Sequence, residues 1–136
     1  MEEARLIDIP RIYDPRGNLS FLEESDNRLP FAVKRVYWTY DVPGGEHRGE
    51  HSHILGHELI VAVSGSFNVN LFDGKTWQTF TMNLPFIGLY VPPQYWRTLD
   101  NFSSGSVMLV LSSEKFSEGD YIRDFNTYLA TIKDND

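Results

Sequence analysis

The sequence predicts an all-β fold, a small sandwich or barrel, followed by one C-terminal α-helix. Three observations carry that expectation. From Ala4 to about Ser112, short runs rich in Val, Ile, Phe, Tyr and Trp are separated by turn signals such as "DPRGN", "DVPGG", "FDGK" and "VPPQ". In "SFNVNLF" the apolar Phe67, Val69 and Leu71 alternate with Ser66, Asn68 and Asn70, the period of a half-buried strand. Helical spacing is read near the end of the chain, at Ile122, Phe125 and Leu129.

Taken in order, "RVYWTY", "HELIVAV", "GLYV" and "SVMLVLS" are more continuously apolar, as strands facing a closed interior would be. Within "RVYWTY" the odd positions Arg35, Tyr37 and Thr39 fall on one face and Val36, Trp38 and Tyr40 on the other, and either face could be the interior. Asp73-Gly74 predicts a type I′ hairpin turn from "SFNVNLF" into "KTWQTFTM". Ser117 and Asp120 in "SEGD" form a start resembling a capping box, with Asp in the usual Glu or Gln place, and predict an amphipathic helix over about 118–131. Tyr121 and Tyr128 are then packing residues. With no internal repeat and no linker, the 136 residues are expected to form one domain, barrel about 4–112 and helix about 118–131.

Twelve Lys plus Arg against nineteen Asp plus Glu give a net charge of -7, which argues against non-specific binding to nucleic acid or an anionic membrane. An anionic small molecule stays open, because a phosphate needs only a local arginine cluster. The chain has no cysteine, hence no disulfide framework, thiolate metal site or cysteine nucleophile. "MEEARLIDIP" lacks the basic and apolar regions of a signal peptide, and no apolar run approaches the roughly 18 residues a bilayer span requires. A soluble, cytoplasmic protein is expected.

All four histidines, His47, His51, His53 and His57, lie in "GGEHRGEHSHILGHELIVAVSG". On an extended chain His51 and His53 point to the same face, so two imidazoles share one side of a sheet. Facing a cavity, such a pair can exchange protons near neutral pH or bind a metal. The series Gly45, His51, His53, Glu58, Gly65 resembles the first motif of the cupin superfamily, whose fold is the double-stranded β-helix or jelly-roll barrel. In metal-binding cupins a second motif, Pro-x-Gly-x-x-His, supplies a further histidine. Here that place is "PPQYWR", with Gln94 in the glycine position and Arg97 in the histidine position. A guanidinium has no acceptor and would repel a cation, so a metal-free site without any cofactor is expected.

Across nearly the whole chain, "DPRGNLSFLEE", "PFAVKRVYWTYDV", "HRGEHSH", "SGSFNVNLFDG" and "GLYVPPQYWRTLDNFSSGSVMLVLSSEKFSEGDYIRDF" together resemble the dTDP-4-keto-6-deoxyglucose 3,4-ketoisomerases, the WxcM-like sugar ketoisomerases of surface-polysaccharide pathways. Arg-Gly-x-His-x-His and Asp-Tyr-Ile-Arg are the most specific elements of the match. The resemblance implies that His51 and His53 sit in the active site and that one moves a proton between sugar carbons. Such a reaction needs two proton relays and one stabilised oxyanion, through an enediolate. Imidazoles suit the relays, and Tyr37 or Arg97 can hold the developing charge.

Guanidinium forks suit a diphosphate, which makes Arg16, Arg35, Arg48 and Arg97 the candidates, with strand-edge salt bridges the alternative for Arg35 and Arg48. Glu58, where many members carry Gln, either orients a catalytic histidine or pairs with an arginine. His47 and His57 are assigned structural roles, and Trp38 and Trp77 to core or interface. The expected partners are a dTDP-linked 4-keto-6-deoxy sugar and, from the resemblance, a second copy in a homodimer with exchanged N-terminal strands. The rival readings are a dTDP-sugar 3,5-epimerase and a non-catalytic sugar- or metal-binding cupin.

Overall fold

The computed structural model describes residues 1–24 and 27–134. In chain order the strands are β1 (Arg5–Asp8), β2 (Arg11–Ile12), β3 (Leu19–Ser20), β4 (Arg35–Tyr40), β5 (Arg48–His53), β6 (Glu58–Ser64), β7 (Phe67–Phe72), β8 (Trp77–Met82), β9 (Ile87–Val91), β10 (Trp96–Asp100), β11 (Val107–Ser112) and β12 (Tyr121–Ile122), and helix α1 (Phe125–Asp134) follows. Among the described residues these form two five-stranded antiparallel sheets, β1-β9-β6-β11-β4 and β12-β5-β10-β7-β8, and a hairpin of β2 with β3. From β4 to β11 the chain passes from one sheet to the other at nearly every connection. That alternation is the double-stranded β-helix expected from the histidine motif.

Both sheets contribute to one core, in which Ile60, Val69, Leu71, Leu89, Val91, Leu99 and Val110 interdigitate. β7 shows the simplest cause: Phe67, Val69 and Leu71 are buried while Asn68 and Asn70 face outward. A second, smaller cluster of Ile7, Ile9, Leu59, Val61 and Tyr90 lies on the outer face of the first sheet, where the N-terminal segment covers it through Leu22, Leu29 and Phe31. That cover leaves two apolar grooves of about 470 and 550 Å³. The β2–β3 hairpin lines the first groove through Arg11, Asn18 and Ser20 and leaves Ile12, Tyr13 and Leu19 exposed.

Two local expectations are corrected. The β7–β8 connection is a four-residue loop, Phe72 pairing with Trp77, rather than a two-residue type I′ turn. The Asp73 carboxylate closes it by accepting the backbone N–H groups of Lys75 and Thr76 at 2.8 and 2.9 Å, an Asx turn that competes with the tighter geometry. The C-terminal helix begins at Phe125 instead of about 118. Residues Glu118–Asp120 form one 3₁₀ turn with no side-chain cap from Ser117, and Tyr121–Ile122 add a strand to the edge of β5. The true cap is Asp124, whose carboxylate accepts Thr127 N–H at 2.9 Å.

Helix α1 is held by its aromatic face. Phe125 and Tyr128 pack on Phe72 and Trp96, contacts of about 0.5–1.5 kcal/mol each beyond the area they bury. The buried Tyr128 hydroxyl lies 2.7 Å from Gln94 O and 2.9 Å from Phe72 O. Helix and sheet edge are thereby locked together. Among the described residues no helix is long and apolar enough to cross a membrane.

Candidate active site

The site begins with an irregularity in β5. Against β10, Arg97 pairs with His51 and Thr98 with Gly49, so Glu50 is an extra residue, a β-bulge. Both bulge residues have positive φ, Gly49 at 86° and Glu50 at 55°. A Cβ on Gly49 would lie 3.3 Å from Arg97 O, which explains the glycine. The extra residue changes the phase of the strand. His51 and His53 face the interior as the alternation requires, and Arg48, three residues before His51, faces it too. The partner strand needs a second special residue: Gln94, in the glycine place of the second cupin motif, has φ 79° and donates its backbone N–H to His53 O at 3.0 Å.

Tyr37, Thr39, Arg48, His51 and Arg97 line a polar cleft whose floor is Ile60, Leu99 and Val110. It measures only about 70 Å³, far less than the outer grooves, but it is the one lined by His51 and Arg97 among the cavities described. His51 Nε2 lies 3.2 Å from His53 Nε2, and His51 Nδ1 lies 3.2 Å from Gly49 O. His53 is buried, with its Nδ1 3.0 Å from Asp120 Oδ2 and its Nε2 3.4 Å from Glu58 Oε1. Glu58, fully buried at the start of β6, accepts from Arg97 Nη1 at 2.5 Å and from the Tyr37 hydroxyl at 2.9 Å, with Arg35 Nη2 3.7 Å away. Both Glu58 oxygens are thus engaged by cation or phenol.

The electrostatics follow from burial and from Arg97. Burial, then the charges of Arg97 and His53, bring His51 down to about 3, so it stands neutral with a lone pair to offer. Burial alone would raise the Glu58 carboxyl, but Arg97, His53 and Tyr37 outweigh it and hold the group below the usual carboxylate range. Burial and the neighbouring Glu58 charge push the Tyr37 phenol far up, so it serves as a hydrogen-bond donor and not as a base.

Ligand atoms of His51, His53 and Glu58 lie within 4.8 Å of one another, a spacing that could hold a metal ion. Arg97 does not fit one: its guanidinium, 2% exposed, stands at the motif position of a fourth ligand and is bonded to Glu58 itself, placing a fixed positive charge against the donors.

Of the residues singled out from sequence, His51, His53, Tyr37, Glu58, Arg35, Arg48 and Arg97 are brought together. Arg16 is not: it lies on the exposed turn of the β2–β3 hairpin, 91% exposed and paired with Asp14 at 3.0 Å. The polar face of β4 is the interior one, leaving Val36, Trp38 and Tyr40 outside. His57 accepts or donates to the Tyr90 hydroxyl at 2.7 Å on the outer face, away from the cleft. Two residues were missed. Asp120 turns inward to His53 instead of capping a helix, and the Tyr121 ring packs against both imidazoles, with centroids 4.9 and 4.4 Å away. The Asp-Tyr-Ile-Arg element of the resemblance was the signal that pointed to them.

A jelly-roll interior with two facing imidazoles, a phenol and a buried arginine–glutamate pair is a cupin-fold site whose groups are chemically able to exchange protons. Its family is equally definite. The model of the FdtA family, "WxcM-like, C-terminal", matches residues 2–133, and the chain belongs to that family. A TDP-4-oxo-6-deoxy-α-D-glucose-3,4-oxoisomerase of Aneurinibacillus thermoaerophilus is 42% identical over 133 residues, covering 96% of this chain and 95% of the relative. The crystal structure of a sugar 3,4-ketoisomerase from Thermoanaerobacterium thermosaccharolyticum in complex with TDP superposes with a TM-score of 0.93 at 35% identity, covering 97% of this chain and 96% of that one. A His-to-Asn mutant of that ketoisomerase, in complex with TDP-4-keto-6-deoxyglucose, superposes at 0.94 with 34% identity over 98% of this chain and 96% of the other.

Proposed function

We propose that this protein is a TDP-sugar 3,4-ketoisomerase that moves the carbonyl of TDP-4-keto-6-deoxyglucose from C4 to C3 by histidine acid–base catalysis. The observation that carries the reading is the His51–His53 pair, 3.2 Å apart at the end of a polar cleft beside Arg97. The carbonyl at C4 acidifies the C3 proton, which neutral His51 accepts to give an enediolate. Arg97, which lines the cleft beside His51, stabilises the developing oxygen charge. His53 relays a proton between the two oxygens, and return of the proton to C4 leaves the carbonyl at C3. Low basicity of His51 at rest is no obstacle: negative charge growing beside it offsets Arg97 and raises its proton affinity as the reaction proceeds.

Arg48, exposed and lining the cleft, is the arginine we assign to the diphosphate. Arg35 is held against Glu58 and supports the site from within. The working form is a homodimer in the cytoplasm. Support comes from the two apolar grooves, the exposed Val36, Trp38 and Tyr40 on the edge strand β4, and the exposed Ile12, Tyr13 and Leu19 of the β2–β3 hairpin. Within one chain β1 pairs with β9; strand exchange would make the same pairs between copies, carrying Arg16 to the other subunit.

Proton NMR of the protein with TDP-4-keto-6-deoxyglucose tests the reading. The expected product is a 3-keto species, formed equally with and without chelator. Inversion at C3 and C5 would mean an epimerase, and no turnover a binding protein.

A further inference from the structure

The donors and acceptors around the histidines determine where their hydrogens lie. Gly49 O can only accept, so His51 Nδ1, 3.2 Å from it, carries a hydrogen. Asp120 presents two carboxylate oxygens: Oδ1 accepts the backbone N–H of Leu55 at 2.6 Å, and Oδ2 lies 3.0 Å from His53 Nδ1. His53 Nδ1 is therefore the donor of that pair. Both Nδ1 atoms are then occupied, and two bare Nε2 lone pairs would oppose each other at 3.2 Å. One further hydrogen between them removes the conflict. That hydrogen is the one the pair can exchange, and Asp120 fixes the other end of His53 so that exchange takes place at Nε2, 3.2 Å from His51 Nε2 and 3.4 Å from Glu58 Oε1.

Asp120 is built to stay where it is. Its carbonyl accepts the N–H of Ile54 at 2.9 Å, and the next residue, Tyr121, pairs with His53 at the edge of β5. Gly56 leaves room for the contact, since a Cβ there would lie 2.9 Å from Asp120 Oδ2 and 3.2 Å from His53 Nδ1. We propose that Asp120 is a positioning residue: by keeping a hydrogen on His53 Nδ1 it leaves Nε2 as the atom of His53 that takes and returns a proton, on the side of His51. The kinetic part of this assignment rests on the ketoisomerase reading, whereas the position of the hydrogens does not.

The test uses Asp120→Asn in the full-length protein. The Asn oxygen can still accept the Leu55 N–H, which preserves the loop, while its NH₂ group faces His53 Nδ1 and forces that nitrogen to accept. In ¹⁵N NMR the wild-type His53 should show a protonated Nδ1, and the variant a bare Nδ1. Turnover should fall on the order of 100-fold with KM little changed, as expected when a histidine is held in the wrong tautomer. A bare His53 Nδ1 in the wild type overturns the proposal without any variant. An unchanged Nδ1 signal in Asp120→Asn, or a switched tautomer with wild-type turnover, overturns it as well. Should the wild type prove not to isomerise TDP-4-keto-6-deoxyglucose, the ketoisomerase reading fails, and the ¹⁵N arm still decides the role of Asp120.

Discussion

Strands β4 and β7 have six residues each and the same alternation, with opposite contents. β7 buries Phe67, Val69 and Leu71, and its outward Asn68 and Asn70 accept from Thr81 and Thr79 across the sheet at 2.8 Å. β4 turns Arg35, Tyr37 and Thr39 inward and leaves Val36, Trp38 and Tyr40 exposed. The ordinary pattern marks where the barrel is a scaffold; the inverted one gives a polar interior, where we propose the chemistry, and an apolar exterior, which the proposed dimer would cover. Burying polar groups is costly unless each is paired. Glu58 answers that cost for Tyr37, Arg35 and Arg97 together.

Perturbing the two strand types should therefore give separable losses. The largest is expected at the polar end: His51→Asn should lower turnover about 100- to 10,000-fold with TDP binding little changed, measured by steady-state kinetics and calorimetry. Near wild-type turnover would show that the inversion serves structure alone. The same variant sharpens the point through pH. Because the folded state holds His51 at about 3, below its unfolded value near 6.5, the unfolded chain binds the proton first. His51 therefore costs no stability above about pH 6.5 and withdraws a growing amount down to about pH 3, on the order of a few kcal/mol. Chemical denaturation at a series of pH values should show a shallower acid loss in His51→Asn than in wild type.

At the scaffold end, Leu71→Ala should cost about 2–5 kcal/mol of stability and leave the turnover of the folded enzyme nearly unaltered. A comparable loss of turnover would mean that the core and the site are not separable. The smallest effect on the monomer is expected outside: Trp38→Ser, at a residue 59% exposed, should change unfolding free energy by no more than about 0.5 kcal/mol. Its effect should appear instead as weaker dimerisation in sedimentation, and an unchanged dimer would remove β4 from the interface.

Much of this was legible before any coordinates. Period-2 alternation revealed β7, and the spacing of Gly45, His51, His53 and Glu58 led to the fold through its resemblance to the first cupin motif. Arg97 was readable as the residue opposing a metal, since its chemistry contradicts the motif it interrupts. Asp120 and Tyr121 were not. A Ser-x-x-Asp sequence ahead of helical spacing is locally indistinguishable from a cap, and only tertiary pairing with β5 pulls the segment straight and delays the helix to Phe125. Arg48 was assigned as a phosphate candidate by residue type, but its inward direction lay beyond parity reasoning, which places it opposite His51.

That parity is broken by Glu50 alone, and the consequence concerns chain length more than side-chain chemistry. Upstream of the bulge, β5 is in phase with Leu99 through Arg48; downstream it is in phase with Arg97 through His51. Two reading frames thus share one strand, and Glu50 is the single character that offsets them. Its carboxylate points to solvent and is dispensable in principle, whereas its presence as a unit of length is not: drop it, and either the arginine or the histidine pair must exchange the inside of the barrel for the outside. In this protein a residue can be indispensable for being counted.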